Sequence, residues 1–159
     1  VDLGVNKNMN ACETFKVSGE VDIKIFSSTG EVVKEFHHKN MVVNRGKSLI
    51  ASRLASNQIN PICYMSIGNN DSITSATQTT LEGELVRVPI SPGAVQDNKV
   101  MYVGLFDSDT IGAQLIKEAG LFNASSNTTN SYMLCRTVFP GIMKNADESI
   151  AITWTLTIN

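Results

Sequence analysis

Asp107, Asp109 and Glu118 are the first residues in this chain whose types and spacing could do chemistry. In Asp107-Ser108-Asp109-Thr110-Ile111-Gly112 the carboxylates hold the first and third positions, a glycine holds the sixth and Glu118 the twelfth. That spacing overlaps the calcium loop of helix–loop–helix proteins. Ile111 removes the ligand at the fifth position, and the flanking residues alternate like strands. The expectation is therefore an acidic β-turn with Gly112 at its corner, although this turn is where a bound cation would be sought. His37 and His38 are the only histidines, and as strand neighbours they point to opposite faces, so they cannot readily ligate one metal together. Of the three cysteines, Cys12, Cys63 and Cys135, two lie in apolar strand-like runs without a CxxC spacing and read as free thiols that are small core residues.

The enzymatic options narrow in the same way. Glycoside cleavage needs two carboxyl groups about 5–10 Å apart beside a sugar platform. Asp71, Glu82, Glu84, Asp107, Asp109 and Glu118 could supply the pair, but aromatic residues make up only 6% of the chain and its single Trp reads as buried. No GxSxG elbow occurs, and no glycine spacing would cradle a phosphate, so neither a hydrolase triad nor a nucleotide or other cofactor is expected. These absences point to a binding or building role rather than catalysis. The most plausible contact residues fall in a polar stretch from Gly68 to Thr80, with Asn69, Asn70, Asp71, Ser72 and Thr74 as candidates, because so long a loop is uncommon unless it binds something or packs on a neighbour.

The elements that must position these residues are strands. In residues 148–159, Ile150, Ile152, Trp154, Leu156 and Ile158 alternate with Ala151, Thr153, Thr155 and Thr157, a period of two that places an apolar face against a hydroxyl-rich one. Phe15 through Ile25 alternates in the same way against Lys16, Ser18, Glu20, Asp22 and Lys24. The turn Ser27-Ser28-Thr29-Gly30 then reverses the chain into a return strand over 32–43. Asn44 is placed to cap a short helix over about residues 46–56, with Leu49, Ile50 and Leu54 on its apolar stripe. Further strands are expected at 62–67, 84–91, 99–106, 115–123, 131–139 and 148–158, with Pro89 and Pro92 favouring an edge for the second of these. About eight short antiparallel strands and one helix predict a mainly β fold, a single antiparallel β-sandwich of immunoglobulin-like or jelly-roll-like kind over 15–159, preceded by a polar arm over 1–14.

Composition agrees. The 159 residues fit one domain, a net charge of −2 with scattered basic residues argues against nucleic acid as a partner, and charged residues are only 18% of the chain. No run approaches the roughly 18 apolar residues of a membrane helix, and the first residues lack the apolar core of a signal peptide, so a soluble chain without membrane insertion is expected.

Several stretches, taken in order, resemble a group of small tailed-bacteriophage virion proteins described as tail-fibre-like or tail-associated. They are NMVVNRGKSLIASRLA (40–55), YMSIGNNDSITSATQTTLEGELVRVPI (64–90), EAGLFNAS (118–125), MLCRTVFPGIMK (133–144) and SIAITWTLTI (149–158). The resemblance implies a non-enzymatic virion component, made in the host cytoplasm. As a tail-fibre or baseplate subunit it would be a homo-oligomer, with a trimer favoured, and would contact tail or baseplate proteins and a host surface glycan. As a capsid decoration protein it would clamp the major capsid protein, with the arm as anchor. A free carbohydrate-binding module is the reading from another class, and exposed Tyr64, Tyr102 or Tyr132 would mark it.

Overall fold

The chain pairs its strands into two five-stranded antiparallel sheets packed face to face. The computed structural model describes residues 14–55 and 58–159, so the arm expected over 1–14 lies, except for Thr14, outside the described residues, as does Cys12. Strands β1 (Val17–Phe26), β2 (Val32–Lys39), β6 (Ala94–Gln96), β7 (Lys99–Phe106) and β10 (Ser149–Ile158) form sheet A in the order β2-β1-β10-β7-β6. Strands β3 (Met41–Val42), β4 (Tyr64–Gly68), β5 (Glu84–Pro89), β8 (Gln114–Phe122) and β9 (Met133–Lys144) form sheet B in the order β3-β9-β8-β4-β5. Helix α1 (Asn44–Leu54) follows β3. The sandwich and, among the described residues, one short helix are as the sequence predicts, and β5, ending on Pro89, does lie at a sheet edge.

The core is the sum of two alternating faces. Val21, Ile23 and Ile25 of β1, Phe106 of β7, and Ile150, Ile152, Trp154 and Leu156 of β10 are buried from sheet A. They meet Met65, Ile67, Ile116, Ala119, Leu121, Cys135, Phe139 and Ile142 from sheet B in one cluster. Ile158, on the same face of β10 but at its end, is exposed. Along one side the sheets are laced together. Lys34 Nζ donates to the Met143 carbonyl at 2.8 Å, Thr137 Oγ1 donates to the Lys39 carbonyl at 2.8 Å, and His38 stacks on Phe139 with ring centroids 5.2 Å apart.

Three sequence expectations need correction. The return strand over 32–43 is two strands, because the chain crosses from sheet A to sheet B at Asn40. There the Asn40 Oδ1 accepts a hydrogen bond from Trp154 Nε1 at 2.8 Å. Gly19 permits this corner, since a Cβ at that position would lie 1.7 Å from Asn40 Oδ1. The helix begins at Asn44 and not after it; the cap is Val43, whose extended backbone carries no side-chain capping bond. The strand expected to end at Phe139 runs on to Lys144. Pro140 is tolerated because the β8 pairing shifts register between Ile116 and Glu118 opposite it, and a bulge does not require its missing N–H.

Candidate functional site

Sheet B is buried on both faces along β4, β8 and much of β9, so something must cover its outer side. Directly paired residues share a face, and register therefore assembles the covered surface row by row. One row is Gly68, Glu118 and Val138; the next is Ser66, Gly120 and Arg136; the third is Tyr64, Phe122 and Met133. The two glycines make room. A Cβ on Gly68 would lie 2.4 Å from Glu118 Oε1, and one on Gly120 would lie 3.0 Å from Leu81. Leu81 itself descends from the β4–β5 loop to join Val43, Phe122 and Met133 in a second, smaller apolar cluster.

The loop over residues 69–83 is rooted on this face by a buried ion pair. Glu118 and Arg136 are both fully buried, and the Arg136 Nε donates to Glu118 Oε2 at 2.8 Å. Nη2 lies equally near that oxygen without hydrogen-bond geometry, so the guanidinium grips one carboxylate oxygen. The Glu118 carboxylate also accepts the backbone N–H groups of Gly83 at 2.6 Å and Glu82 at 3.2 Å. Arg136 Nη1 reaches the Ser72 carbonyl at 3.0 Å and Gln78 Oε1 at 3.1 Å. Asn69 N–H closes the neck by donating to the Gly83 carbonyl at 3.0 Å, and Asn44 N–H ties the Ala76 carbonyl to the start of α1 at 2.8 Å. The loop is thus held from beneath by side chains and from the side by backbone.

The five contact residues named from sequence all sit on this loop. Asn69, Asp71 and Ser72 are exposed, while Asn70 and Thr74 are half-buried. Asn70 Oδ1 accepts from the Ser72 N–H at 2.7 Å, and Lys117 Nζ lies 2.8 Å from Asp71 Oδ2, holding the Asp71 carboxyl below its usual range. Ile73, at 90% exposure, is the most prominent apolar residue of the loop.

A second clamp, missed by sequence reasoning, secures the segment between β8 and β9. Arg87 grips Glu84 with both forks, Nε to Oε1 at 2.7 Å and Nη2 to Oε2 at 2.8 Å, and its guanidinium lies 3.7 Å over the Phe122 ring. It then donates to the Ala124 carbonyl at 2.9 Å and to Asn127 Oδ1 at 2.7 Å. Burial alone would push the Glu84 carboxyl up, but the hydrogen bonds from Arg87, Ser66 and Asn127 and the guanidinium charge together hold it below the ordinary value. A depressed folded value means the clamp is at full strength above the unfolded pKa and is lost as pH falls through the folded one. Thermal unfolding from about pH 6 to about pH 3 should therefore decline more steeply for the native chain than for Glu84→Gln; parallel profiles would remove Glu84 from the acid response.

The acidic turn takes a different form from a cation loop. Asp107 and Asp109 are exposed, the Thr110 N–H closes the turn on the Asp107 carbonyl at 3.0 Å, and Glu118 is engaged with Arg136 on the covered face. The ammonium of the buried Lys144 occupies the turn's carbonyls, 2.8 Å from Ile111 O and 3.4 Å from Gly112 O. Burial pulls its pKa below the ordinary lysine value. Among the described residues no group of three His, Cys, Asp or Glu side chains could hold a metal ion. His37 faces outward with Nδ1 2.7 Å from Asp22 Oδ1, which raises its pKa, while burial and the neighbouring His37 lower that of His38. Cys63 and Cys135 are free, and burial pushes both thiols up, away from the thiolate a nucleophile requires. Tyr64, Tyr102 and Tyr132 are all half-buried. Burial pushes the Tyr102 phenol up to about 12.

No family model matches the chain, and no curated protein or solved structure matches it.

Proposed function

We propose that this chain is a non-enzymatic structural protein of a bacteriophage virion, a tail-fibre or baseplate-associated subunit that works through contacts of its roofed sheet. The observation that carries this reading is the state of the 69–83 loop. Its outward surface, with Asn69, Ser72, Ser75, Thr77 and Thr79 exposed beside Asp71, Ile73 and Glu82, is hydroxyl-rich, yet its backbone is held by the Glu118–Arg136 pair and by the start of α1. A surface already ordered loses little conformational freedom when a partner docks, which suits repeated subunit contacts in an assembly.

The stretches that resemble tail-associated virion proteins support the same reading, because they supply both partners of both clamps. Residues 64–90 carry Glu84, Arg87 and the whole loop, 118–125 carries Glu118, and 133–144 carries Arg136. In this reading the subunit is made in the host cytoplasm and assembles as a homo-oligomer, with a trimer favoured, on neighbouring tail or baseplate proteins.

The test is gold-labelled antibody against the protein on intact phage particles, viewed by electron microscopy. Label at the tail or its tip is the expected result. Label spread over the head would replace the tail assignment with capsid decoration on the major capsid protein, and unlabelled particles that bind a control antibody would overturn the external virion reading.

A further inference from the structure

The side along which the two sheets are laced together carries a titratable group inside the lacing. His38 stands on the inner face of β2, in one row with Val21 of β1 and Trp154 of β10, and its ring stacks on Phe139 of β9. Its Nε2 is buried and has no hydrogen-bond partner among the described residues. A neutral imidazole tolerates this, because Nε2 remains an unused acceptor while Nδ1 carries the proton. A protonated ring must instead present a donor at both nitrogens, and a buried donor without an acceptor is costly. The other buried side-chain atom of this corner without a partner is Asn40 Nδ2. It is itself a donor, since Asn40 Oδ1 takes the Trp154 bond, so it cannot accept the new proton.

The charges around His38 do not favour the cation either. On its own strand Lys34 shares the inner face and reaches the Met143 carbonyl across the seam, while Glu35, His37 and Lys39 alternate to the outer face. On β1, Val21 and Ile23 face inward, and Glu20 and Asp22 stand outside opposite Lys39 and His37. From β9 come Phe139 and Thr137, neither of them ionisable; Arg136 is held by Glu118 on the far face of sheet B, and Lys144 by the carbonyls of the 107–112 turn. Strand β3, Met41 and Val42, brings no charge.

We infer that the seam between β2 and β9 is an acid-sensitive latch: protonation of His38 ends its stacking on Phe139 and parts the two sheets along this side, while the His37–Asp22 pair keeps β2 on β1. Burial and the neighbouring His37 lower the His38 pKa from the ordinary 6.5, whereas the hydrogen bond from Asp22 raises that of His37. The lowered group leaves the seam at full strength above the unfolded value and weakens it as pH falls toward the folded one. The raised group supports the β1–β2 hairpin fully below the unfolded value and releases it only as pH rises through its folded value. Acidification from about pH 7 to about pH 5 therefore tightens the hairpin and loosens the seam, so that the parting falls between the sheets and not between paired strands. The latch uses none of the contacts invoked for the virion reading, and either can fail alone.

The experiment is a titration of the ¹³C,¹⁵N-labelled full chain from about pH 7.5 to about pH 4.5, across the histidine range. It follows both imidazoles, the nuclear Overhauser contacts between the His38 and Phe139 rings, and acrylamide quenching of Trp154, the only tryptophan, whose Nε1–H is tied to the same corner. His38 should titrate at lower pH than His37, and its cross-peaks to Phe139 should fade as it protonates. The Trp154 quenching constant should rise about twofold or more as the seam opens locally. His38→Phe keeps a ring for the stack without an ionisable group and should leave quenching flat over the whole range. His38→Gln repeats that test without added bulk, and His37→Asn should leave the His38 response in place. A His38 ring that protonates with its Phe139 cross-peaks intact, or stays neutral to the end of the titration, would overturn the inference. So would a rise in quenching that persists in both His38 variants.

Discussion

Replacing Trp154 with alanine is expected to cost about 3–5 kcal/mol of folding stability, the range for deleting a fully buried large aromatic side chain. Trp154 has no exposed surface and sits on the central strand of sheet A, between Val21 of β1 and Tyr102 of β7. The loss should appear as a melting temperature lower by on the order of 10 °C, and as a reduced urea midpoint with little change in slope. Trp154→Phe separates two contributions. It retains most of the ring but removes the Nε1–H bonded to Asn40, and should cost about 1–2 kcal/mol. Gly19→Ala attacks the same corner from the opposite strand by displacing the Asn40 amide. A loss below about 1 kcal/mol for Trp154→Ala would contradict the position of this side chain at the centre of the core.

Arg136→Met should be comparably damaging, at about 3–5 kcal/mol, because it leaves the Glu118 carboxylate buried without its cation. The double substitution Glu118→Leu with Arg136→Met removes both charges and should recover much of that loss. It should not recover the loop. Arg136 also holds the Ser72 carbonyl and Gln78, and Glu118 holds the Gly83 and Glu82 N–H groups. Amide exchange across residues 69–83 should therefore accelerate in the double variant although global stability returns. Unchanged exchange there would show that the neck and the α1 tie suffice without the ion pair.

These two side chains differ in how far sequence could reach them. The burial of Trp154 was legible because alternation with period two is local, and Ile150, Ile152 and Leu156 repeat it on either side. The pairing of Glu118 with Arg136 was not, because it depends on the β8–β9 register, including two shifts along that ladder. Glu118 instead drew notice as the twelfth residue of a calcium-like spacing, a pattern that ignores the strand it lies on. Strand β6 was also missed. Its three residues are all exposed, so no apolar alternation marks it, and the one available signal was the Asp97-Asn98 turn, where Asp97 adopts φ of 52°. The β4–β5 loop was recognised over 68–80 by its length and composition, three residues short of its end at 83, and its rooting became visible only when register placed Gly68, Glu118 and Arg136 on one face.

The position of β10 also sets the order in which the molecule can be made. Lys16 and Asn159 exchange backbone hydrogen bonds of 2.7 Å in both directions, and β10 separates the β1–β2 hairpin from the β6–β7 hairpin in sheet A. During synthesis both hairpins therefore emerge from the ribosome with apolar faces and without the strand that joins them. Closing the sheet must wait for residues 149–158, and the contact that completes it spans nearly the whole described chain, a long-range closure of the kind that slows folding. A nascent chain stalled before Ser149 would expose two unpaired sheet edges, the species most prone to aggregate or to recruit a chaperone.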